Sequence, residues 1–187
     1  MNKICWIDVE TTGLDPKTCC IVQLAALMEV NGEIKDECIL LMKPDDSDYV
    51  SSTALRVHGL TMEKLATFQP QREGYRDLIC MLESYVNKYN RNDKLIFAAY
   101  NAHFDDQFLR QFFLRNANSY YGSYFFWPKI DVQTFVAMEI AYNELKLENY
   151  KLETVCKHYG IELEAHDALS DIKATRDLYK LIREGSK

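Results

Sequence analysis

The sequence predicts an α/β protein in which a mixed β-sheet is flanked by helices. Its N-terminal part contains three segments rich in apolar and β-branched residues, KICWIDV, CIVQLAALMEV and EIKDECILLM. The turn dipeptide Asn31-Gly32 separates the second segment from the third, which indicates an antiparallel pair. Strand and helix patterns then alternate, and antiparallel strands followed by such alternation are typical of a mixed sheet.

The remaining elements are expected in the following order. The sequence patterns predict short helices at Ser51 to Val57 and Thr61 to Ala66, a longer helix from Glu73 to Tyr89, a strand at Lys94 to Tyr100, a helix marked by Phe104, Phe108 and Phe112, a short strand at Lys129 to Val132, and helices at Gln133 to Leu145, Lys151 to Tyr159 and Asp167 to Arg183.

Length and composition predict a single folded domain over residues 1–187. Apolar residues make up 48% of the chain and charged residues 27%, the balance of a globular protein. No apolar run approaches the ~20 residues of a spanning helix, and acid follows the N-terminus too soon for a signal peptide. The six cysteines form no C-x-x-C pair and are expected to be reduced. We therefore expect a cytoplasmic protein.

The net charge of −6 argues against a protein that coats long nucleic acid, because neutralising many phosphates requires clustered Lys and Arg. A negative net charge is compatible with an enzyme that binds only a few nucleotides. Bound divalent cations would then supply positive charge locally, and an acidic cluster would hold them.

Asp8 and Glu10 lie at the end of the first predicted strand, in CWIDVETTGLD. Side chains two residues apart on a strand share one face, so the two carboxylates project together and repel each other. A bound cation would resolve that repulsion, whereas a solvated strand end is the alternative explanation.

A second pair of acids follows the strand of AYNAHFDDQFL. Asn101 is a candidate helix N-cap, and Asp105 and Asp106 lie in the first helical turn. Adjacent helical residues point about 100° apart, so only one aspartate can face a given site. We expect one functional aspartate and one solvated aspartate.

The third acidic segment is AHDALSDIKATRDLYKLI. Asp167 is a candidate N-cap, and Asp171 lies on a stripe of otherwise buried positions, where a carboxylate is costly unless it is paired or metal-bound. His166 stands just before this helix. Alone it would be assigned to the surface, but its spacing from Asp171 favours a role in catalysis.

DVETTGL, YNAHFD and HDALSD together resemble, in order, the three motifs of the DEDDh 3′–5′ exonucleases, the family of the proofreading epsilon subunit of bacterial DNA polymerase III. VHGLT, residues 57–61, resembles the family's V-H-G segment. The resemblance implies a ribonuclease H-like fold with a mixed five-stranded sheet that begins as an antiparallel meander.

The resemblance also implies a role for each motif residue. The acids that would hold two Mg²⁺ ions, with Mn²⁺ as a substitute, are Asp8, Glu10, Asp105 and Asp171. His166 would be the general base. Asp106 would then be the solvated neighbour of Asp105. The implied activity is hydrolysis of the 3′-terminal phosphodiester of nucleic acid, with release of a nucleoside 5′-monophosphate.

Substrate contacts are predicted by the same resemblance for seven residues: Thr11, Thr12, Gly13, Leu14, His58, Asn101 and Phe104. Each has a structural alternative. The T-T-G-L turn would also serve as a tight exit from the strand, and Gly59 would cap the helix that ends at His58. Phe104 shares a helical stripe with Phe108 and is equally suited to the core.

The aromatic segment SYYGSYFFW, residues 119–127, has several interpretations. With Arg110, Arg115 and Lys129 nearby in sequence, it could stack the bases of a single strand. It could also cover the core or form a dimer contact.

Two functions of another kind fit the sequence less well. A phosphatase with an aspartyl nucleophile would leave HDALSD unexplained, and a catalytically inactive nucleic-acid-binding module would be expected to have lost one of the acids. The choice between single-stranded DNA and short RNA as the substrate stays open, as do the oligomeric state and association with a DNA polymerase. Because the chain ends soon after the last motif helix, we expect no C-terminal tether to a polymerase.

Overall fold

The computed structural model describes residues 2–163 and 167–185. Its five-stranded sheet consists of β1 (Lys3–Thr11), β2 (Ile21–Val30), β3 (Glu33–Leu41), β4 (Ile96–Ala99) and β5 (Ile130–Asp131). The strand order is β3-β2-β1-β4-β5. The first three strands pair antiparallel, and β4 and β5 join them in parallel. This is the predicted mixed sheet with an N-terminal meander.

Seven α-helices flank the sheet within the described residues. They are α1 (Ser52–His58), α2 (Met62–Leu65), α3 (Gln71–Tyr85), α4 (Ala102–Arg115), α5 (Val132–Tyr142), α6 (Leu152–His158) and α7 (Ala168–Gly185). None of the helices described is both long and apolar enough to cross a membrane.

The β2–β3 hairpin forms at the predicted turn. Asn31 and Gly32 adopt φ values of 54° and 88°. Positive φ at both central residues of a two-residue turn matches the right-handed twist of the flanking strands, and Asn-Gly reaches it at low cost.

The predicted span of α3 is wrong at its C-terminal end, because the helix stops at Tyr85 and not at Tyr89. Val86 adopts an extended backbone and is buried in the core. The carboxylate of Asp93 accepts a hydrogen bond from the Asn87 N–H group at 2.9 Å, which holds the following turn. A buried β-branched residue in extended conformation and the hydrogen bond within the following turn therefore override the helical pattern.

The two faces of β1 pack against different helices, and this arrangement positions the acids. Cys5, Ile7 and Val9 join the core that includes buried residues of α3 and α4. Ile4 and Trp6 join the core that includes buried residues of α5, α6 and α7. Because side chains alternate along a strand, Asp8 and Glu10 continue the face of Ile4 and Trp6. The acids of β1 therefore share the face that packs against α7.

Helix α7 is held against the sheet by an apolar stripe and a buried ion pair. Its predicted stripe is buried at Ala168, Ile172, Thr175, Leu178 and Ile182. The Arg176 guanidinium contacts the carboxylate of Glu29 on β2 at 2.5 Å and donates to the Gly32 carbonyl at 3.0 Å. A buried charge pair of this kind needs its partners in place, so it fixes how α7 lies on β2.

Candidate active site

Three of the predicted acids meet at one end of β1. Carboxylate oxygens of Asp8, Glu10 and Asp171 lie within 4.8 Å of one another. The start of α7 supplies Asp171: the Asp167 carboxylate accepts a hydrogen bond from the Leu169 N–H group at 3.0 Å, as expected of an N-cap. The structure thus brings together acids that are more than 160 residues apart in sequence.

Asp105 joins this group from the other side of β1. It lies in the first turn of α4 and is only 4% exposed. Its Oδ1 atom accepts a hydrogen bond from the backbone N–H group of Val9 at 3.1 Å. Since Val9 separates Asp8 from Glu10, this bond ties the start of α4 to the acidic end of β1.

The four acids form a site that disfavours negative charge. Burial raises the pKa of Asp8 well above its ordinary value, and the charges of Asp105, Asp171 and Glu10 raise it further. Burial and then the charge of Asp171 raise the pKa of Glu10 to about 7.

The pKa of Asp105 is also raised well above its ordinary value. Burial is the largest cause, and the charges of Asp131 and Glu10 add to it. The backbone N–H groups of Val9 and of Asp105 itself oppose the shift by donating to the carboxylate.

A divalent cation fits this donor set. Carboxylate oxygens are the ligands preferred by hard cations such as Mg²⁺ and Mn²⁺. A bound cation would replace the mutual repulsion of the acids with attraction, as opposite charge favours the ionised form. Within residues 2–163 and 167–185, Asp8, Glu10 and Asp171 are the one cluster of His, Cys, Asp or Glu side chains close enough to share an ion.

The prediction that Asp106 is solvated is wrong. Asp106 is 4% exposed, and its carboxylate accepts hydrogen bonds from Arg110 at 2.8 Å and from the Tyr121 hydroxyl at 2.7 Å. Lys129 forms an ion pair with it at 2.5 Å. Burial raises the pKa of Asp106, but these hydrogen bonds outweigh burial and hold the pKa below its ordinary value. Asp106 is thus a buried carboxylate paired with Arg110 and Lys129.

A cleft of about 700 Å³ opens beside Glu10. Its walls include five of the seven residues predicted to contact substrate: Thr11, Gly13, Leu14, His58 and Phe104. Leu14 is 85% exposed, so its large apolar side chain is available to a ligand in the cleft. The volume is within the ~300–1,000 Å³ of typical small-ligand sites.

The turn after β1 forms one wall of the cleft. The Thr11 hydroxyl donates to the Gly13 carbonyl at 2.7 Å. The Thr12 side chain is fully buried, and its hydroxyl accepts a hydrogen bond from the Cys20 N–H group at 3.0 Å. A Cβ atom at Gly13 would lie 2.6 Å from the Cys19 sulfur, so the turn needs glycine there. Thr12 therefore supports the turn from within.

Two of the residues predicted to contact substrate, His58 and Phe104, lie in or beside elements that have structural roles as well. Gly59 adopts a left-handed conformation with φ of 73° and caps α1, as predicted, while His58 lines the cleft at 9% exposure. The Phe104 ring packs on Phe108 with centroids 4.9 Å apart and also lines the cleft. Both proposed uses of Phe104 are therefore compatible.

Asn101 occupies the predicted N-cap position of α4, but its side chain makes no capping bond. Its backbone is left-handed, with φ of 62°, and its N–H group donates to the Asp131 carboxylate at 3.2 Å. The capping bond was the wrong part of the prediction. The sharp turn from β4 into α4 is held instead by the Asp131 carboxylate, which accepts the hydrogen bond from the Asn101 N–H group.

Asp131 was missed by the sequence analysis. It ends β5, and its Oδ1 atom accepts hydrogen bonds from the backbone N–H groups of Asn101 and of Gln133, the latter in the first turn of α5. Its charge raises the pKa of Asp105. The signal for it was an aspartate at the C-terminal end of a parallel strand, the edge at which open α/β sheets place ligands.

His166, the predicted general base, lies outside the described residues.

Comparison with known proteins agrees with the motifs. The profile of the exonuclease family RNase_T matches residues 5–179. The PolC-type DNA polymerase III of Oceanobacillus iheyensis is 32% identical over 94% of this chain, and that of Thermotoga maritima is 30% identical over 92%. The chain spans only 11% of the length of these relatives. Ribonuclease T of Buchnera aphidicola is 28% identical over 92% of this chain and 79% of its own length.

Solved structures agree on the fold. A complex of E. coli ExoI with single-stranded DNA superposes with a TM-score of 0.83 over 99% of this chain and 41% of that chain, at 22% identity. Exonuclease I of Methylocaldum szegediense gives 0.79 over 98% of this chain and 41% of that chain, at 23% identity. The chain therefore belongs to the RNase_T exonuclease family, a family of DEDD-type 3′–5′ exonucleases with a ribonuclease H-like fold.

Proposed function

We propose that this chain is a metal-dependent 3′–5′ exonuclease that hydrolyses terminal phosphodiesters of single-stranded DNA to nucleoside 5′-monophosphates. The observation that carries the proposal is the meeting of Asp8, Glu10 and Asp171 within 4.8 Å, beside a cleft of about 700 Å³. Membership of an exonuclease family supports the same reaction.

Exonucleases of this kind use divalent metal ions, and we propose two Mg²⁺ ions here, with Mn²⁺ as a substitute. Asp8, Glu10 and Asp171 would hold one ion. Asp8 and Asp105 would hold the other, as the family resemblance implies. Such ions lower the pKa of bound water and stabilise charge on the oxygens of the scissile phosphodiester.

The residues of the chain itself would bind and orient the 3′ end. The exposed side chain of Leu14 and the half-buried ring of Phe104 offer apolar contact to the terminal base, and His58 lies deeper in the same cleft. His166 would accept a proton from the attacking water, a role assigned by sequence resemblance. A neutral imidazole is suited to it near neutral pH.

Trimming of short RNA is the second candidate function. It is favoured by the similarity to ribonuclease T, which extends over 79% of that relative's length. An inactive binding module is disfavoured because all four acids proposed for the metal site are present. Asp105 is buried, where a carboxylate destabilises the fold more than an apolar residue would, so its presence favours a role in binding metal.

The experiment that tests this function uses matched DNA and RNA oligonucleotides, single- and double-stranded, with Mg²⁺. We expect single-stranded DNA with a free 3′-hydroxyl to be shortened from its 3′ end, a 3′-phosphate to slow the reaction, and circular single strands to survive. Faster shortening of RNA would select the second candidate. Efficient cutting of circles would contradict exonuclease action altogether.

A cytoplasmic location and a single domain over residues 1–187 remain part of the proposal. All six cysteines are free thiols, which suits a reducing compartment. Likeness to PolC-type polymerases supports work alongside a DNA polymerase.

A further inference from the structure

The aromatic segment of residues 119–127 divides into a buried part and an exposed part. Tyr121, Tyr124 and Phe125 are at most 5% exposed and belong to the core. Trp127, by contrast, is 82% exposed. Covering the core therefore explains the three buried rings. It does not explain why the Trp127 indole is exposed, since tryptophan is highly buried on average and is enriched at binding interfaces.

The exposed indole of Trp127 lies beside the Arg110 side chain, which shares the Asp106 carboxylate with Lys129. The Arg110 guanidinium lies 5.5 Å from the Trp127 ring centroid and 4.2 Å from that of Tyr121. Asp106 anchors this guanidinium at 2.8 Å and the Lys129 ammonium at 2.5 Å. We call Arg110, Trp127 and Lys129 the Trp127 patch. Arg110 and Lys129 share this one carboxylate, so Asp106 balances only one of their two positive charges.

Helix α4 connects the Trp127 patch to the acidic cluster. Asp106, the anchor of the patch, directly follows Asp105, and Arg110 lies five residues beyond Asp105 on α4, about 7.5 Å along the helix axis. The cleft is lined by the end of β1 and by α1, whereas the patch lies between α4 and the start of β5. In the strand order, β4 separates β1 from β5.

We infer that the Trp127 patch binds single-stranded nucleic acid upstream of the terminal nucleotide, with one base stacked on the indole of Trp127. The inference rests on the proposed function, because it needs the 3′ end to lie in the cleft. The strand would then pass the acids and continue over α4 to the patch, where Arg110 and Lys129 contact phosphates. An aromatic face beside cations is the composition of single-strand platforms, and it tolerates any base.

Fluorescence tests this binding directly, since the chain has two tryptophans and Trp6 is 1% exposed. With Ca²⁺ replacing Mg²⁺ to leave the strand uncut, an eight-nucleotide oligothymidylate should quench the emission of Trp127. A dinucleotide should not, because it ends before the patch. Trp127→Phe should remove the quenched signal. Binding of the eight-nucleotide strand, seen by anisotropy, without quenching would overturn the inference.

Kinetics with Mg²⁺ give a second test. Trp127→Ala should raise KM for the eight-nucleotide strand roughly 5- to 150-fold, the range expected for one lost base stack, with kcat unchanged. KM for the dinucleotide should not change. Tyr142→Ala is the matched control, because Tyr142 is 79% exposed on α5 and should leave both KM values unchanged. Equal KM values for Trp127→Ala and the wild type on the longer strand would overturn the inference.

The outcomes separate this inference from the proposed function. Quenching without any hydrolysis in Mg²⁺ would support the patch and contradict the exonuclease. Hydrolysis with neither quenching nor a KM effect would support the exonuclease and overturn the patch. If Trp127→Ala instead dissociates a dimer in sedimentation and leaves KM unchanged, the patch is a protein interface and the inference is wrong.

Discussion

The carboxylate of Asp105 accepts a hydrogen bond from the backbone N–H group of Val9, the residue between Asp8 and Glu10. The bond links the first turn of α4 to the acidic end of β1 at a donor–acceptor distance of 3.1 Å. Asp105 thus has two separable roles, since an amide oxygen could keep this hydrogen bond while losing the charge needed to hold a cation.

Asp105→Asn should therefore keep the fold and lose the reaction. Burial raises the pKa of Asp105, so the ionised carboxylate destabilises the folded protein at pH 8 when no metal is bound. Because asparagine carries no charge, the Tm of the Asp105→Asn variant in EDTA at pH 8 should equal or exceed that of the wild type. Turnover with Mg²⁺ should fall on the order of 100-fold or more. Thermal unfolding and an oligonucleotide assay check these two results.

Asp105→Ala is the control for the hydrogen bond. It leaves the Val9 N–H group without this acceptor and should cost about 1–3 kcal/mol in the free energy of unfolding relative to Asp105→Asn. Equal destabilisation by both variants in EDTA would show that the charge, and not the hydrogen bond, holds α4 to β1.

Without metal, the protein should lose stability as the pH rises from about 4.5 to about 7. Glu10 has a pKa of about 7 in the folded protein and an ordinary value of 4.5, so the folded state binds more protons than the unfolded state in this window. The free energy of unfolding then falls with rising pH. Urea unfolding in EDTA at pH 5 and pH 8 measures the loss, which Glu10→Gln should reduce by on the order of 2 kcal/mol.

Mg²⁺ should reverse this dependence, because cations compete with protons for the same carboxylates and stabilise the folded state that binds them. The stabilisation by Mg²⁺ should be larger at pH 8 than at pH 5. An equal effect of Mg²⁺ at both values, or none in either, would count against a cation site at Glu10.

Asp106→Asn should show the opposite pattern to Asp105→Asn. Its carboxylate pairs with Arg110 and Lys129, and the amide would leave both cations without their counter-charge. We expect a loss of about 2–3 kcal/mol in stability, below the ~3–5 kcal/mol of a fully buried pair because the Arg110 side chain is 36% exposed. Stabilisation by Mg²⁺ should remain. A variant that kept wild-type stability but lost its response to Mg²⁺ would place Asp106 in the metal site.

His166→Ala tests the role assigned from the sequence. General-base catalysis is typically worth ~10²–10⁴-fold, so kcat should fall by about that factor while calorimetry still detects Mg²⁺ binding. The wild-type rate should decline as the pH drops through ~6.5, where the imidazole becomes protonated, and the variant should lack this decline. Loss of Mg²⁺ binding in His166→Ala would make His166 a ligand instead. Asp171→Ala, by comparison, should lose both binding and turnover.

The sheet and the acidic cluster were predictable because both follow from short-range patterns. The alternation along β1 places Asp8 and Glu10 on one face, and the stripe of α7 places Asp171 among buried residues. Three motifs in order then indicated that these acids meet. The β2–β3 hairpin was equally predictable, because Asn31-Gly32 favours the turn that joins its two strands.

The errors concern residues whose environment comes from distant parts of the chain. Asp106 was expected in solvent, but β5 and the segment before it bring Lys129 and Tyr121 to its carboxylate. Within one aromatic run, Phe125 is buried and Trp127 is exposed, although their side chains are similar in hydrophobicity. The local sequence pattern shows which residues lie on the same face of a helix or strand. Which other side chains contact that face depends on how the remaining helices and strands pack, and the local pattern does not show this.

The most direct test of the central claim asks whether the shortening of a 5′-labelled single-stranded oligonucleotide depends on a divalent metal ion. With Mg²⁺ the protein should shorten the strand one residue at a time and release nucleoside 5′-monophosphates; EDTA should stop the reaction, and added Mg²⁺ should restore it. Asp8→Asn should be inactive, because Asp8 is the acid assigned to both ions. Full activity in EDTA, or near-normal turnover by Asp8→Asn, would contradict the account.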